Sequence, residues 1–199
     1  AAGSGGGILN DLGTLTVTNT EISNNTSVRA GGGIEDNSAA GLTLTLTSVQ
    51  LLNNSTASSP GNGGGLHITG PGNSMVDGCT VNGNMASAEG GGLWNGSGVM
   101  TVTNTSIQNN SSTGVMADQG GGGLFNAGGT LNVDACTLSE NTATGAAGSG
   151  GGILNDLGTL TVTNTEISNN TSVRAGGGIE DNSAAGSILT LTSVQLLNN

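Results

Sequence analysis

The feature that most constrains this chain is a glycine triplet followed by an aliphatic residue. Gly5-Gly6-Gly7-Ile8 returns as Gly31–Ile34, Gly63–Leu66, Gly90–Leu93, Gly121–Leu124, Gly150–Ile153 and Gly176–Ile179. Successive third glycines stand 26, 32, 27, 31, 29 and 26 residues apart. Self-similarity at a period of roughly 20–50 residues marks a solenoid, propeller or array, because one such unit cannot bury its apolar face alone. A propeller blade takes about 40–50 residues and four strands, so the shorter period favours a solenoid.

Downstream of each triplet, polar and apolar residues alternate, as in Thr14–Asn25. Residues two apart share one face of a strand, so Leu15 and Val17 point inward while Thr16 and Thr18 point out. The first inward column reads Leu15, Leu44, Ser74, Met100, Leu131, Leu160 and Leu189. The second reads Val17, Leu46, Val76, Val102, Val133, Val162 and Leu191. A third reads Ile22, Leu51, Val81, Ile107, Leu138, Ile167 and Leu196, always seven residues after the first, so the bend between them tolerates no insertion. The aliphatics after the triplets, from Ile8 to Ile179, make a fourth column.

Three residues beyond the third column stands an asparagine in every repeat: Asn25, Asn54, Asn84, Asn110, Asn141, Asn170 and Asn199. Stacked asparagines hydrogen-bond along the stacking direction, and Asn tolerates the left-handed backbone of a sharp corner. Length variation sits mainly in the loop that follows, with 5, 8, 5, 10, 8 and 5 residues before the next triplet. Insertions gathered in one loop are a solenoid trait.

These patterns predict an all-β chain, a parallel β-helix forming one continuous domain over residues 1–199. Seven coils of 26–32 residues are expected to start near 5, 31, 63, 90, 121, 150 and 176. Each carries three short strands, near Gly7–Asn10, Leu15–Thr18 and Glu21–Asn24 in the first coil. At about 4.8 Å per layer, the rod would be about 34 Å long. The 39 glycines and the 33% hydrophobic content alone fit a flexible tract. Large apolar residues at fixed repeat positions argue for order instead.

Thirteen acidic residues face only Arg29 and Arg174, so no basic patch exists to neutralise phosphates, which argues against nucleic acid or anionic lipid as partner. No apolar run approaches the ~20 residues of a membrane span, and no targeting segment is recognisable. A larger repeat overlies the coils. Residues 1–54 match 146–199 at 52 positions, differing only at Leu42/Ser187 and Thr43/Ile188. That points to recent duplication, engineered copying or a slice of a tandem array, and an uncapped end leads to the expectation of a longer parent or end-to-end stacking.

Gly-Gly-Gly-Ile or Gly-Gly-Gly-Leu, followed by an aliphatic-x-x-Asn such as Ile22-Ser23-Asn24-Asn25, resembles the repeats of polymorphic outer-membrane proteins and of large bacterial surface proteins with right-handed parallel β-helices. The resemblance covers all seven coils, with Ile, Leu or Val where that family usually has Phe. It implies a secreted, surface-exposed β-helix, often adhesive, and specifies no ligand.

Candidate chemistry is sparse. Asp77 and Asp134 share the outward column of Thr18, two coils or about 9.6 Å apart, near the upper limit for an inverting glycosidase pair. No Lys, Arg or Tyr recurs beside them, and a solvated strand face is the simpler reading. The T-x-T pairs Thr16/Thr18, Thr45/Thr47, Thr101/Thr103, Thr161/Thr163 and Thr190/Thr192 are similar to ice-binding solenoids, although β-branched Thr favours exposed strands anyway. Cys79 and Cys136 lie two coils apart, too far for a disulfide. His67 has no recurring acidic partner and is not expected to hold a metal. Trp94 and Phe125 are expected to point outward as exposed rings.

The glycine triplets serve first the tight entry into the first strand; as a second reading they offer a bare backbone stripe, through Gly5, Gly6, Gly31, Gly32, Gly90, Gly91, Gly150 and Gly151, for lateral contact with a neighbouring rod. The sequence thus predicts no catalytic residue, cofactor or metal site. It predicts a structural segment of an extracellular or cell-surface fibre, stalk or sheath that associates with itself, end to end or laterally. An adhesin binding a glycan or host surface through Ser55–Asn62 and Ser111–Gly120 is the alternative. A polysaccharide lyase or hydrolase ranks below it.

Overall fold

The computed structural model describes residues 3–58, 60–183 and 185–199. Among them the chain is all-β, a right-handed parallel β-helix of about six turns. The first sheet stacks seven strands: Ile8–Asp11, Ile34–Asn37, Leu66–Ile68, Leu93–Asn95, Leu124–Ala127, Ile153–Asp156 and Ile179–Asn182. The second runs from Leu15–Thr18 to Leu189–Thr192 and the third from Glu21–Ser23 to Gln195–Leu197, also with seven strands each. All pairings are parallel and in the register of the sequence columns, for example Leu15↔Leu44 and Ile22↔Leu51. The strand expected at Gly7–Asn10 is shifted to Ile8–Asp11, because the glycines form the bend that leads into it.

A fourth sheet was not foreseen. Six two-residue strands, from Thr26–Ser27 to Thr171–Ser172, pair immediately after the ladder asparagines. The loops expected at Ser55–Asn62 and Ser111–Gly120 therefore begin as strand, and Ser59 of the former lies outside the described residues. The signal was weak because a two-residue strand shows no alternation.

The inward columns fuse into one core. Leu44, Leu46, Leu51, Leu66, Val76, Val81, Leu93, Val102 and Ile107 are all buried in it. Burial of such side chains contributes about 1.5–3 kcal/mol each. Ser74 interrupts the first column, and its buried hydroxyl finds no partner.

The asparagine ladder forms as expected. Each Nδ2 donates to the Oδ1 of the next coil's asparagine, from Asn25→Asn54 (3.0 Å) to Asn170→Asn199 (2.9 Å). From Asn54 onward, Nδ2 also donates to the third-column carbonyl of the preceding coil, as in Asn110 to Val81. The left-handed backbone falls one residue earlier than expected, at Asn24, Asn53, Gly83, Asn109, Glu140, Asn169 and Asn198. The ladder residue is thereby free to turn its amide inward.

The glycine stripe is corrected. Gly31, Gly32, Gly90, Gly91, Gly150 and Gly151 are buried; only the two end triplets are not, with Gly6 exposed and Gly5, Gly176 and Gly177 half-buried. A Cβ on Gly32 would collide with the Gly64 carbonyl oxygen and the Ser55 backbone. These glycines permit contact between coils of one chain, which leaves no surface there for a neighbouring rod.

Candidate functional site

The chemistry-bearing side chains of this molecule gather on the outer face of the first sheet. The position after each inward aliphatic forms a continuous paired column, Leu9, Glu35, His67, Trp94, Phe125, Leu154 and Glu180. Strand alternation turns these side chains away from the core, yet loop side chains lean over them. Glu35, His67 and Phe125 are buried and Trp94 is half-buried.

His67 has one acidic partner, Glu35, in a contact that occurs once. Its Nδ1 lies 2.8 Å from Glu35 Oε2, and the contact is an ion pair whenever the ring is protonated. Thr69 Oγ1 donates to Glu35 Oε1 at 2.6 Å, and Arg29 from the preceding loop approaches the same oxygen at 3.6 Å. A cavity of about 190 Å³ opens beside the group, lined by Ser4, Leu9, Asp11, Arg29, Glu35, Asn37 and Thr69. Both Glu35 oxygens are engaged, so the carboxylate ties coils two and three together.

The two aromatic rings are not scattered on the surface. Trp94 stacks at 4.2 Å on His67 and at 6.0 Å, nearly parallel, on Phe125. Its Nε1 donates to Glu89 at 3.0 Å. With both ring faces occupied, Trp94 offers no platform to a sugar. Burial pushes the Glu89 carboxyl above the usual range, against the hydrogen bond from Trp94, with Asp156 and Asp118 adding to the rise. Asp156 is raised as well, by burial first and then by Asp118.

On the second sheet, Asp77 and Asp134 flank Thr103 in the outward column. Thr103 and Asn104 donate to Asp77 at 2.7 and 2.8 Å, and Thr163 and Asn164 donate to Asp134. These bonds hold both carboxyls below the usual carboxylate range. A glycosidase pair needs one carboxyl raised to serve as an acid, and this pair is tuned the other way. The T-x-T rows lie in register, broken by exposed Met75 and by Asn132.

Cys79 and Cys136 are free and buried, one layer either side of Thr105. Burial raises both thiols, Cys136 to about 11. No group of three or more His, Cys, Asp or Glu residues suited to a metal occurs among the described residues.

A second amide ladder escaped sequence reasoning. Asn95 donates to Asn126, Asn126 to Asn155 and Asn155 to Asp181, and Asn10 likewise donates to Asp36. Asn10, Asn126 and Asn155 also bond the carbonyl three residues on, closing the corner into the second sheet. Its sequence signal is an Asn or Asp two residues after the inward aliphatic, interrupted once by Ile68.

No family model, no curated protein and no solved structure matches the chain.

Proposed function

We propose that this chain is a structural segment of an extracellular or cell-surface fibre, stalk or sheath, lengthened by adding coils. The observation that carries the reading is the amide ladder from Asn25 to Asn199, which spans every coil without a break. Each rung bonds the neighbouring coil, so the interactions run along the axis and resist bending and local opening. The resemblance of the repeats to surface proteins supports the location. Burial of the glycine triplets favours association through the ends over side-by-side packing. Immunogold labelling of source cells tests the proposal. Gold along surface fibres or a sheath is expected, and label confined to the cell interior would sink it.

One observation favours the adhesin reading second. Val115 and Met116 are 65% and 67% exposed at a loop tip. Beside them lies a groove of about 220 Å³ lined by Pro60 of one longer loop, Ser87 and Ala88 of the short loop between, and Thr113, Gly114 and Gln119 of the other. Under this reading, Val115→Ser with Met116→Ser abolishes binding to the target surface and leaves the melting temperature unchanged. Retained binding would exclude it.

A further inference from the structure

An Asn-x-Ser/Thr triplet is the acceptor signal for N-linked sugar. At four corners of this chain two such triplets occur, offset by one residue, as in Asn24-Asn25-Thr26 and Asn25-Thr26-Ser27. The same doubling recurs at Asn53/Asn54, Asn109/Asn110 and Asn169/Asn170. Residue spacing treats the two members of each pair alike, and the structure separates them.

The second asparagine of each pair is the ladder residue. Asn54, Asn110 and Asn170 are fully buried, and each Nδ2 donates both to the next rung and to a carbonyl of the preceding coil. Asn25 Nδ2 is likewise bonded to Asn54. A sugar on a ladder residue would have to lie inside the stack, where a single Cβ on Gly33 would already press on the Asn54 amide at 3.2 Å. The first asparagine of each pair sits instead on the left-handed corner, with its side chain exposed. Among the described residues, Asn24, Asn53 and Asn169 have no hydrogen-bond partner for Nδ2, whereas Asn109 donates to Asn82 at 3.0 Å. Two further triplets begin at Asn95, which is buried, and at Asn104, whose amide is held by the Asp77 carboxylate at 2.8 Å. Coils three and five carry Gly83 and Glu140 at the corner position and so lack the signal.

We infer that Asn24, Asn53 and Asn169 are N-glycosylation sites, and that the ladder asparagines beside them are not. The inference rests on the reading of the chain as an extracellular or cell-surface segment, and gives one corner of the rod a hydrophilic sugar coat. In the transfer, Nδ2 bonds to the anomeric carbon of an activated sugar. The bond from that carbon to the donor's phosphate oxygen breaks, the phosphate leaves with the electron pair, and Nδ2 loses one proton. The donor is a sugar joined to phosphate, either a nucleotide-linked hexose or a lipid-diphosphate-linked oligosaccharide, delivered by a cellular transferase. Because the ladder amides face the stack, only sugar at the corner is compatible with a closed β-helix.

The test is peptide mapping by mass spectrometry of the protein isolated from its source cells, with fragmentation that tells adjacent asparagines apart. Sugar is expected on Asn24, Asn53 and Asn169. A single hexose identifies the nucleotide-linked donor, and a longer chain the lipid-linked one. Thr26→Val, Ser55→Ala and Thr171→Val each delete a corner triplet and leave the ladder triplet intact, since Ser27, Thr56 and Ser172 remain. Each variant should lose all sugar at its own corner, with the melting temperature unchanged. A bare asparagine at one corner removes that site. Bare asparagines at all three, or sugar that survives these variants, would overturn the inference. Bare corners on protein that gold places along surface fibres would end the glycosylation proposal alone. Sugar at the corners with label confined to the cell interior would end the fibre reading alone.

Discussion

His67 Nδ1 lies 2.8 Å from Glu35 Oε2, although the two residues are 32 positions apart and both are buried. Removing one member of a buried hydrogen-bonded pair leaves the other's polar atom short of a partner. His67→Ala is therefore expected to destabilise the chain by about 1–3 kcal/mol in urea unfolding. The same change made with Glu35→Gln should cost less than the sum of the two single changes, because they share one interaction. Simple additivity would show that the contact carries no coupling.

The ladder should be strongest at its middle. Asn110 donates to Asn141 and Val81 and accepts from the backbone and side chain of Asn84. Asn110→Ala strands several buried polar groups, with an expected loss of about 3–5 kcal/mol. At the open end, water replaces what Asn199 provides, and Asn199→Ala should cost about 1 kcal/mol. Similar losses at both sites would contradict a cooperative ladder.

Ser74 buries a hydroxyl without a hydrogen-bond partner in an otherwise aliphatic column. Ser74→Ala removes that desolvation penalty and should stabilise the protein by about 1 kcal/mol. A loss of stability on thermal unfolding would show that the hydroxyl is bonded after all.

The thiols should be inert in the folded chain. Burial raises Cys79 and holds Cys136 at about 11, so little thiolate forms near neutral pH. Reaction with a disulfide reagent at pH 8 is expected to be slow until denaturant is added. Rapid labelling of either thiol in the native state would place it at the surface.

Two groups of carboxyls pull stability in opposite directions with pH. Glu89 has its pKa raised by burial, so between the usual glutamate value of about 4.3 and the folded value the native state binds more protons. Stability from this group falls as pH rises through that window. Asp77 and Asp134 are lowered, so their contribution is present above the usual aspartate value and is lost as pH falls through the folded one. Glu89→Gln should flatten the decline above about pH 4.3, and Asp77→Asn should flatten the loss at acid pH. Unchanged pH profiles in both variants would exclude these residues as the source.

The columns Leu15 to Leu189 and Ile22 to Leu196, and the Asn25–Asn199 ladder, were legible because their spacing repeats without insertion. The Glu35–His67 contact was hidden because it occurs once, between coils whose triplets are 32 residues apart. The Asn95–Asn126–Asn155 ladder was obscured by Ile68, and the exposure expected of Phe125 was wrong because its ring is stacked on Trp94 and sits in register with Leu154.

The sequence by itself determined the coil, its inward columns, its corners and the likeness of coil seven to coil two. These follow from local periodicity, since a strand must alternate its faces and a repeated apolar position must meet its own copy. Only the tertiary structure decided which outward side chains are sheltered and which glycines are sealed between coils. Those outcomes depend on contacts between coils, such as Trp94 on His67 and Gly32 against the Gly64 carbonyl, and no residue spacing within one coil encodes them.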